Sequence, residues 1–320
     1  MTMILDYLFN AMALGVTFLY GSTGEIITEK VGHLNLGIPG IMCVGGMGGC
    51  IALYALYGSG CPAFLIVLLA MLATVLSGAL MGALYCFLTV TLHANQNVTG
   101  LAMTIFGAGI SKFIIKALDQ VRYVNAVRGS VAYFRYPFAD LTLDLQKWGI
   151  MFFLAFVIAI LASLILTKTR VGLHLRAVGE NPATADAVGI NVTAYKYGAT
   201  CIGSAIAALG GLYYTMDYSG SPEAFLQIED LGWLSIALVI FALWKPHLSI
   251  LGSALFGFLY VANSYLPSIL NLVLPRYAPP LLKMLPYAVT ILVLIISSIR
   301  KKRENQPPAS LGQSYFREER

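Results

Sequence analysis

TRVGLHLRAVGENPATADAVGINV, Thr169–Val192, is a polar stretch between two apolar runs. It carries the start and stop signals of a short helix. Asn181 is a natural cap, because its side-chain oxygen accepts a hydrogen bond from an orphan N–H of the first turn. Pro182 suits the first helical position, where its missing donor costs nothing. Ala183, Ala185 and Ala187 are strong helix formers. Gly189 adopts the left-handed conformation that ends the helix. A helix of roughly two turns is marginal alone in water and must dock on something. Ala183 and Ala187 lie four apart and offer a small-residue face, and Val188 and Ile190 add apolar grip. The surface they meet is either the chain's own membrane domain or a cytoplasmic partner.

Outward from this stretch the chain is apolar. Of its 320 residues, 58% are hydrophobic and only 11% charged, with a mean hydropathy of +0.78. A soluble domain carries about 25% charge, so the composition points to an all-α polytopic membrane protein. Apolar runs fall near Ile4–Tyr20, Leu36–Tyr57, Pro62–Thr91, Val98–Ile115, Trp148–Leu166, Tyr197–Met216, Leu231–Trp244, Leu248–Leu266 and Leu285–Ile299. Leu231–Trp244 is short and Leu36–Tyr57 is glycine-rich, which sets a range of about eight to ten membrane helices over residues 1–299. Met1–Thr2–Met3 offers no basic leader, and no A-x-A site follows the first run, so no cleaved signal is expected.

Arg300–Lys301–Lys302–Arg303 directly follows the last run, a cytoplasmic stop-transfer pattern and not a nucleic-acid site. The tail 300–320, with Pro307–Pro308, is expected to be cytoplasmic and disordered. Counting back, the loop at about 168–195 is cytoplasmic, and its Lys168, Arg170 and Arg176 agree with that. Segment 116–147 then lies outside, against the charge bias of Arg122, Arg128, Arg135 and Lys147, and so does the N-terminus.

Enzymatic signatures are missing. There is no G-x-x-x-x-G-K-[ST], H-E-x-x-H, G-x-S-x-G or CxxC, and hence no expected catalytic residue, metal site or cofactor. His33, His93, His174 and His247 fall near span ends or in the loop. Cys43, Cys50, Cys61, Cys86 and Cys201 read as free packing thiols. No chain of acidic residues crosses the apolar runs, as ion coupling within this polypeptide would require. Small residues recur every four positions, at Gly45/Gly49, Gly78/Gly82 and Ala199/Gly203/Ala207/Gly211, which favours close helix contact in lipid. Asn35, Gln96, Asn97 and Thr99 are polar groups within or beside apolar runs, and they serve either helix–helix hydrogen bonding or a solute path. Phe106 and Tyr214 are suited to packing or to stacking on a base.

GLHLRAVGENPATADAVGINV resembles the cytoplasmic loop of permease subunits of ABC importers, in the branched-chain amino acid and simple sugar permease group. Gly172, Arg176, Ala177, Gly179, Asn181, Pro182, Ala185, Gly189 and Ile190 carry the likeness. SAIAALGGLYY (Ser204–Tyr214) and EKVGHLNLGIPGIM (Glu29–Met42) extend it. Within the group it is most similar to permeases of purine-nucleoside systems that depend on a Bmp-type lipoprotein. The resemblance implies a type II-like transmembrane domain in a bacterial cell membrane, paired with an identical or related second permease. It implies two cytoplasmic ATPase subunits, which hold the ATP and magnesium, and an external substrate-binding protein or lipoprotein. Glu180, Asn181, Pro182, Ala183, Ala187 and Gly189 would then form the coupling element on the ATPase.

One position departs from the pattern. Related nucleoside permeases read [IL]-N-[IL]-G-x-E-G where this chain has Leu34–Gly40, with Pro39 in place of the acid. A simple sugar of ribose or galactose type, a riboflavin-like compound or a branched-chain amino acid are the alternative substrates. A secondary transporter would need no ATPase, and an intramembrane enzyme would need a reactive constellation. In GHLNLGIPGIMCVGG, Gly32–Gly46, Pro39 resists helix continuation. Irregular backbone at membrane depth must be buried or line a cavity. The stretch is expected to be an interrupted entry to the second span at the dimer centre, with Asn35 and Pro39 on the path.

Overall fold

A computed structural model describes residues 2–135, 148–269, 278–300 and 306–316. All regular structure among them is helical. In chain order the helices are α1 (Thr2–Lys30), α2 (Ile38–Leu56), α3 (Ala63–Cys86), α4 (Gln96–Ala117), α5 (Gln120–Arg135), α6 (Ile150–Lys168), α7 (Arg170–Glu180), α8 (Pro182–Ala187), α9 (Val192–Leu212), α10 (Ile228–Phe241), α11 (Pro246–Ile269), α12 (Ala278–Lys283) and α13 (Leu285–Arg300). Eight helical stretches among the described residues are long and apolar enough to cross a membrane: α1 to α4, α6, α9, 222–241 and α11. The last apolar run forms α13, whose apolar part is shorter. The basic residues Lys301–Arg303 lie outside the described residues.

The packing is that of a membrane protein, with small residues inside and large ones outside. On α3, Leu68, Leu72, Leu76, Leu80 and Leu84 form an exposed stripe at four-residue spacing. Its opposite face buries Ala70, Thr74, Gly78 and Gly82. A Cβ at Gly78 would overlap Ala208 of α9, and one at Gly82 would overlap Ser204. Gly24 of α1 and Gly203 of α9 likewise bring their backbones together. The small-residue spacing therefore does what its position in the sequence suggests. It lets helices approach closely enough to gain dispersion contacts.

The first helix is longer than expected. The apolar run near Ile4–Tyr20 continues through Ser22, Thr23, Glu25 and Thr28 to Lys30. These polar residues look like an exit to water, yet Ser22, Glu25 and Thr28 are fully buried. Packing along α9, α10 and α11 encloses them. Glu25 and Glu29 thus lie in α1, near its C-terminal end. Both have partners, as buried polar groups require. Glu25 Oε1 accepts from the Asn35 amide at 3.1 Å, and Glu29 accepts from the Trp244 indole N–H.

Residues 31–37 are irregular, and α2 starts at Ile38 with Pro39 in its first turn. A proline there breaks no hydrogen bond, and the helix runs on without interruption to Leu56. The stretch is buried by this chain's own helices. Gly40 meets α4 at Met103 and Thr104, Gly45 meets Ala208, and Pro39 meets Gly232 of α10. Gly32–Gly46 is thus an interior seam of one protomer, and no second copy is needed to bury it.

Candidate functional site

The segment 169–191 folds from its own local signals. The Thr169 hydroxyl accepts from the Gly172 amide at 3.1 Å and starts α7. Asn181 Oδ1 accepts from the Thr184 amide at 3.0 Å and caps α8, with Pro182 at its first position. At the far end, Gly189 N–H donates to Asp186 O and Ile190 N–H to Ala185 O, both at 3.0 Å. Gly189 has φ +88°. Together these bonds form a Schellman termination, which satisfies carbonyls the helix itself leaves open. Asn191 then caps α9 through the Ala194 amide at 2.9 Å.

The two faces of α8 differ. Ala185 is buried with Ile26, Leu166, Leu175, Val178 and Trp244, and Ile190 packs on the same cluster. Ile190 therefore grips its own chain and adds nothing to an outward surface. Glu180, Asn181, Ala187, Val188 and Gly189 are exposed, while Pro182 and Ala183 are half-buried. Val188 is 71% exposed, an apolar side chain that the described residues leave uncovered. The short helix is thus seated on one side and free on the other.

The C-terminal tail supplies part of the seat. Residues 306–316 are not loose, contrary to expectation. The Ser310 amide and hydroxyl both donate to Gly179 O, at 3.0 and 2.6 Å. The Gly312 amide donates to Gly32 O at 3.2 Å. The Tyr315 hydroxyl donates to Asp186 Oδ2 at 2.9 Å, and Phe316 lies 4.6 Å from the His93 ring. The prolines and polar residues that read as disorder are held by backbone bonds, which composition does not reveal. Beside this strap a cavity of about 680 Å³ is lined by His93, Gly189, Asn191, Lys196, Tyr315 and Phe316, among others. Deleting residues 306–320 is expected to leave the helical body folded but to loosen the 168–191 segment. Trypsin cleavage at Lys168, Arg170 and Arg176 of the detergent-purified protein should then speed up several-fold.

The polar residues named as path candidates meet at this same end. Asn35 Oδ1 accepts from the Gly37 amide at 3.0 Å. Gln96 Oε1 accepts from the Leu34 amide at 2.8 Å, and its Nε2 donates to Gln313 O at 3.1 Å. Asn35, Pro39, Gln96 and Thr99 are buried, whereas Asn97 is exposed on α4. Gln96 joins the α1–α2 turn to α4 and to the tail, whereas Asn35 braces its own turn and its buried Nδ2 has no partner among the described residues. Next to them His33 Nδ1 shares a hydrogen bond with the Thr200 hydroxyl at 2.9 Å. Burial, and then the charge of Lys196, hold the His33 pKa well below its usual value, so the ring is neutral.

The opposite end of the body carries polar groups whose partners the sequence does not show. Arg122 of α5 donates to the open carbonyls of Ala55 and Tyr57 at the end of α2, at 3.3 and 3.1 Å, and stacks on Tyr54. Arg135 donates to Asp217 O at 3.3 Å. These arginines have local structural work, which accounts for basic residues in a segment where charge bias argues against them. Asp217 is buried against Gly149, where any Cβ would overlap its carboxylate. Lys112 and Glu229 form an ion pair at 2.9 Å between α4 and α10.

Comparison with known proteins places this architecture. The family model described as "Branched-chain amino acid transport system / permease component" matches residues 7–294. The nucleoside ABC transporter permease protein NupC of Lactococcus lactis is 31% identical, over 90% of this chain and 90% of that protein. The guanosine ABC transporter permease protein NupQ of Bacillus subtilis is 31% identical over 85% of each. A putative glucose ABC transporter permease protein, TsgC13 of Haloferax volcanii, is 30% identical over 97% of this chain and 98% of that protein. No solved structure matches the chain. With eight membrane-length helices and a match over nearly its whole length, this chain belongs to the permease-component family of the branched-chain amino acid transport systems.

Proposed function

We propose that this chain forms the translocation path of an ATP-binding cassette importer for a nucleoside, in a bacterial cell membrane. One observation carries the coupling half of the reading: α8 is capped at both ends, seated on one face and exposed on the other. Such an element suits a groove on a cytoplasmic ATPase. Glu180, Asn181, Pro182, Ala183, Ala187 and Gly189 would transmit ATP-driven closure of the ATPase pair to the helices around α9. The α8 end and the tail would then be cytoplasmic, and α5 would face outward. A second permease and an external binding protein complete the assembly. The names of two relatives support a nucleoside as substrate, and one relative is named for glucose.

Asn35 and Gln96 act in this reading by holding the α1–α2 turn in place, with Pro39 and Thr99 beside them. Proteoliposomes holding both permeases, the ATPase and the binding protein test the proposal. ATP-dependent uptake of labelled adenosine or guanosine, unaffected by excess glucose, is the expected result. Uptake of glucose alone, or uptake that persists without ATP, would overturn it.

A further inference from the structure

At the end of the body remote from α8 lies a cavity of about 300 Å³ that coupling leaves unused. Its size is at the lower end of the range for small-molecule sites, roughly 300–1,000 Å³. The lining is mostly tyrosine and amide. Tyr214 and Tyr218 come from a π-helical turn, Tyr213–Ser219, that extends α9. Such turns are rare and gather at functional sites. The turn presents both rings on one face, stacked with centroids 5.6 Å apart and planes 21° apart. Tyr260 and Tyr265 of α11 line the same space.

The amides beside these rings have hydrogen-bonding capacity to spare. Gln227 Oε1 accepts from the Tyr214 hydroxyl at 2.6 Å, and its NH₂ group, on an exposed residue, is free to donate. Asn10 Nδ2 donates to the Tyr265 hydroxyl at 2.6 Å, which orients that ring. Lys283 is the one charged side chain among the described lining residues. A zwitterionic amino acid needs both signs of charge, and the lining offers no carboxylate for its ammonium group.

We propose that this cavity is a nucleobase site on the entry side of the path. The base stacks on the Tyr218 side of the tyrosine pair, and Gln227 donates to a ring nitrogen or carbonyl. Stacking on an aromatic face tolerates every base, so the site admits purines and pyrimidines alike. The proposal rests on the nucleoside reading above.

The assembled transporter in proteoliposomes, fed labelled adenosine through its binding protein, provides the test. Tyr218→Leu is expected to raise the half-saturating adenosine concentration about tenfold, the loss typical of one stacked base. Tyr218→Phe, which keeps the ring, is expected to stay near the parent value. Equal impairment of the two variants, or none in Tyr218→Leu, would overturn the proposal. Should Tyr218→Leu fail to assemble, Gln227→Leu decides. Weaker adenosine uptake supports the site, and unchanged uptake removes it. A parent transporter that takes up glucose and no nucleoside would remove the nucleoside reading and the site with it. Nucleoside uptake undisturbed by the variants would remove the site alone.

Discussion

Uptake by a transporter carrying Gly189→Val is expected to fall at least tenfold, while the protein still inserts and assembles. The reason is local. Gly189 sits at φ +88°, where a β-branched residue is a true outlier. Forcing an ordinary residue into the left-handed region costs about 1–2 kcal/mol. A Cβ at Gly189 would meet nothing within 4 Å, so packing is untouched. The strain is relieved only by losing the two terminating hydrogen bonds at Asp186 and Ala185. That frees Val188 and re-aims the exposed face of α8. Membrane insertion does not depend on this face, but coupling does. Basal ATPase activity should persist, while uptake and the stimulation of the ATPase by loaded binding protein are lost together. Gly189→Asn should retain most uptake, because asparagine tolerates the left-handed region. Normal uptake by an inserted Gly189→Val variant would remove α8 from the coupling route.

Gly211→Leu is expected to have the larger effect on folding. Gly211 of α9 lies against the Met42 carbonyl of α2, and any Cβ there would overlap backbone. Backbone cannot swing aside as a flexible side chain does. One turn earlier Ala208 meets Gly45, so the two helices cannot separate at one point without opening the seam. Overpacking a core typically costs 1–3 kcal/mol, and sometimes more. Here the clash is with main chain at the centre of the body. The variant should be missing from the monodisperse peak on size-exclusion chromatography in detergent. Gly109→Ala is the control. Gly109 is exposed and its Cβ would meet nothing within 4 Å, so the change should be neutral or stabilising by up to about 1 kcal/mol. A monodisperse, heat-stable Gly211→Leu protein would show that the α2–α9 seam is not as described.

The features legible in the sequence are those decided by local chemistry. Asn181, Pro182 and Gly189 act within a few residues of themselves, and α8 runs between them as their order suggests. The small-residue spacing of α3 and α9 was legible for the same reason, since each helix carries its own contact face. Features decided across the fold were not. Ser22 and Glu25 end the apolar run in sequence, yet the fold buries them. Nothing near Pro307–Pro308 announces that Ser310 will bond to Gly179. Asn35 and Gln96 were identified as polar groups needing partners. Only the fold shows that the partners are backbone groups of the α1–α2 turn and of the tail. Tyr214 was visible as an aromatic residue, but its pairing with Tyr218 follows from a π-helical turn that no residue pattern marks.

The most direct measurement places a photo-crosslinking amino acid at Val188 in the assembled, transport-active complex, with Val121 of α5 as the control position. Irradiation is predicted to join residue 188 to the ATPase subunit and to give no such adduct from residue 121. A complex that imports in an ATP-dependent manner, yet forms no ATPase adduct from 188, would contradict coupling through α8.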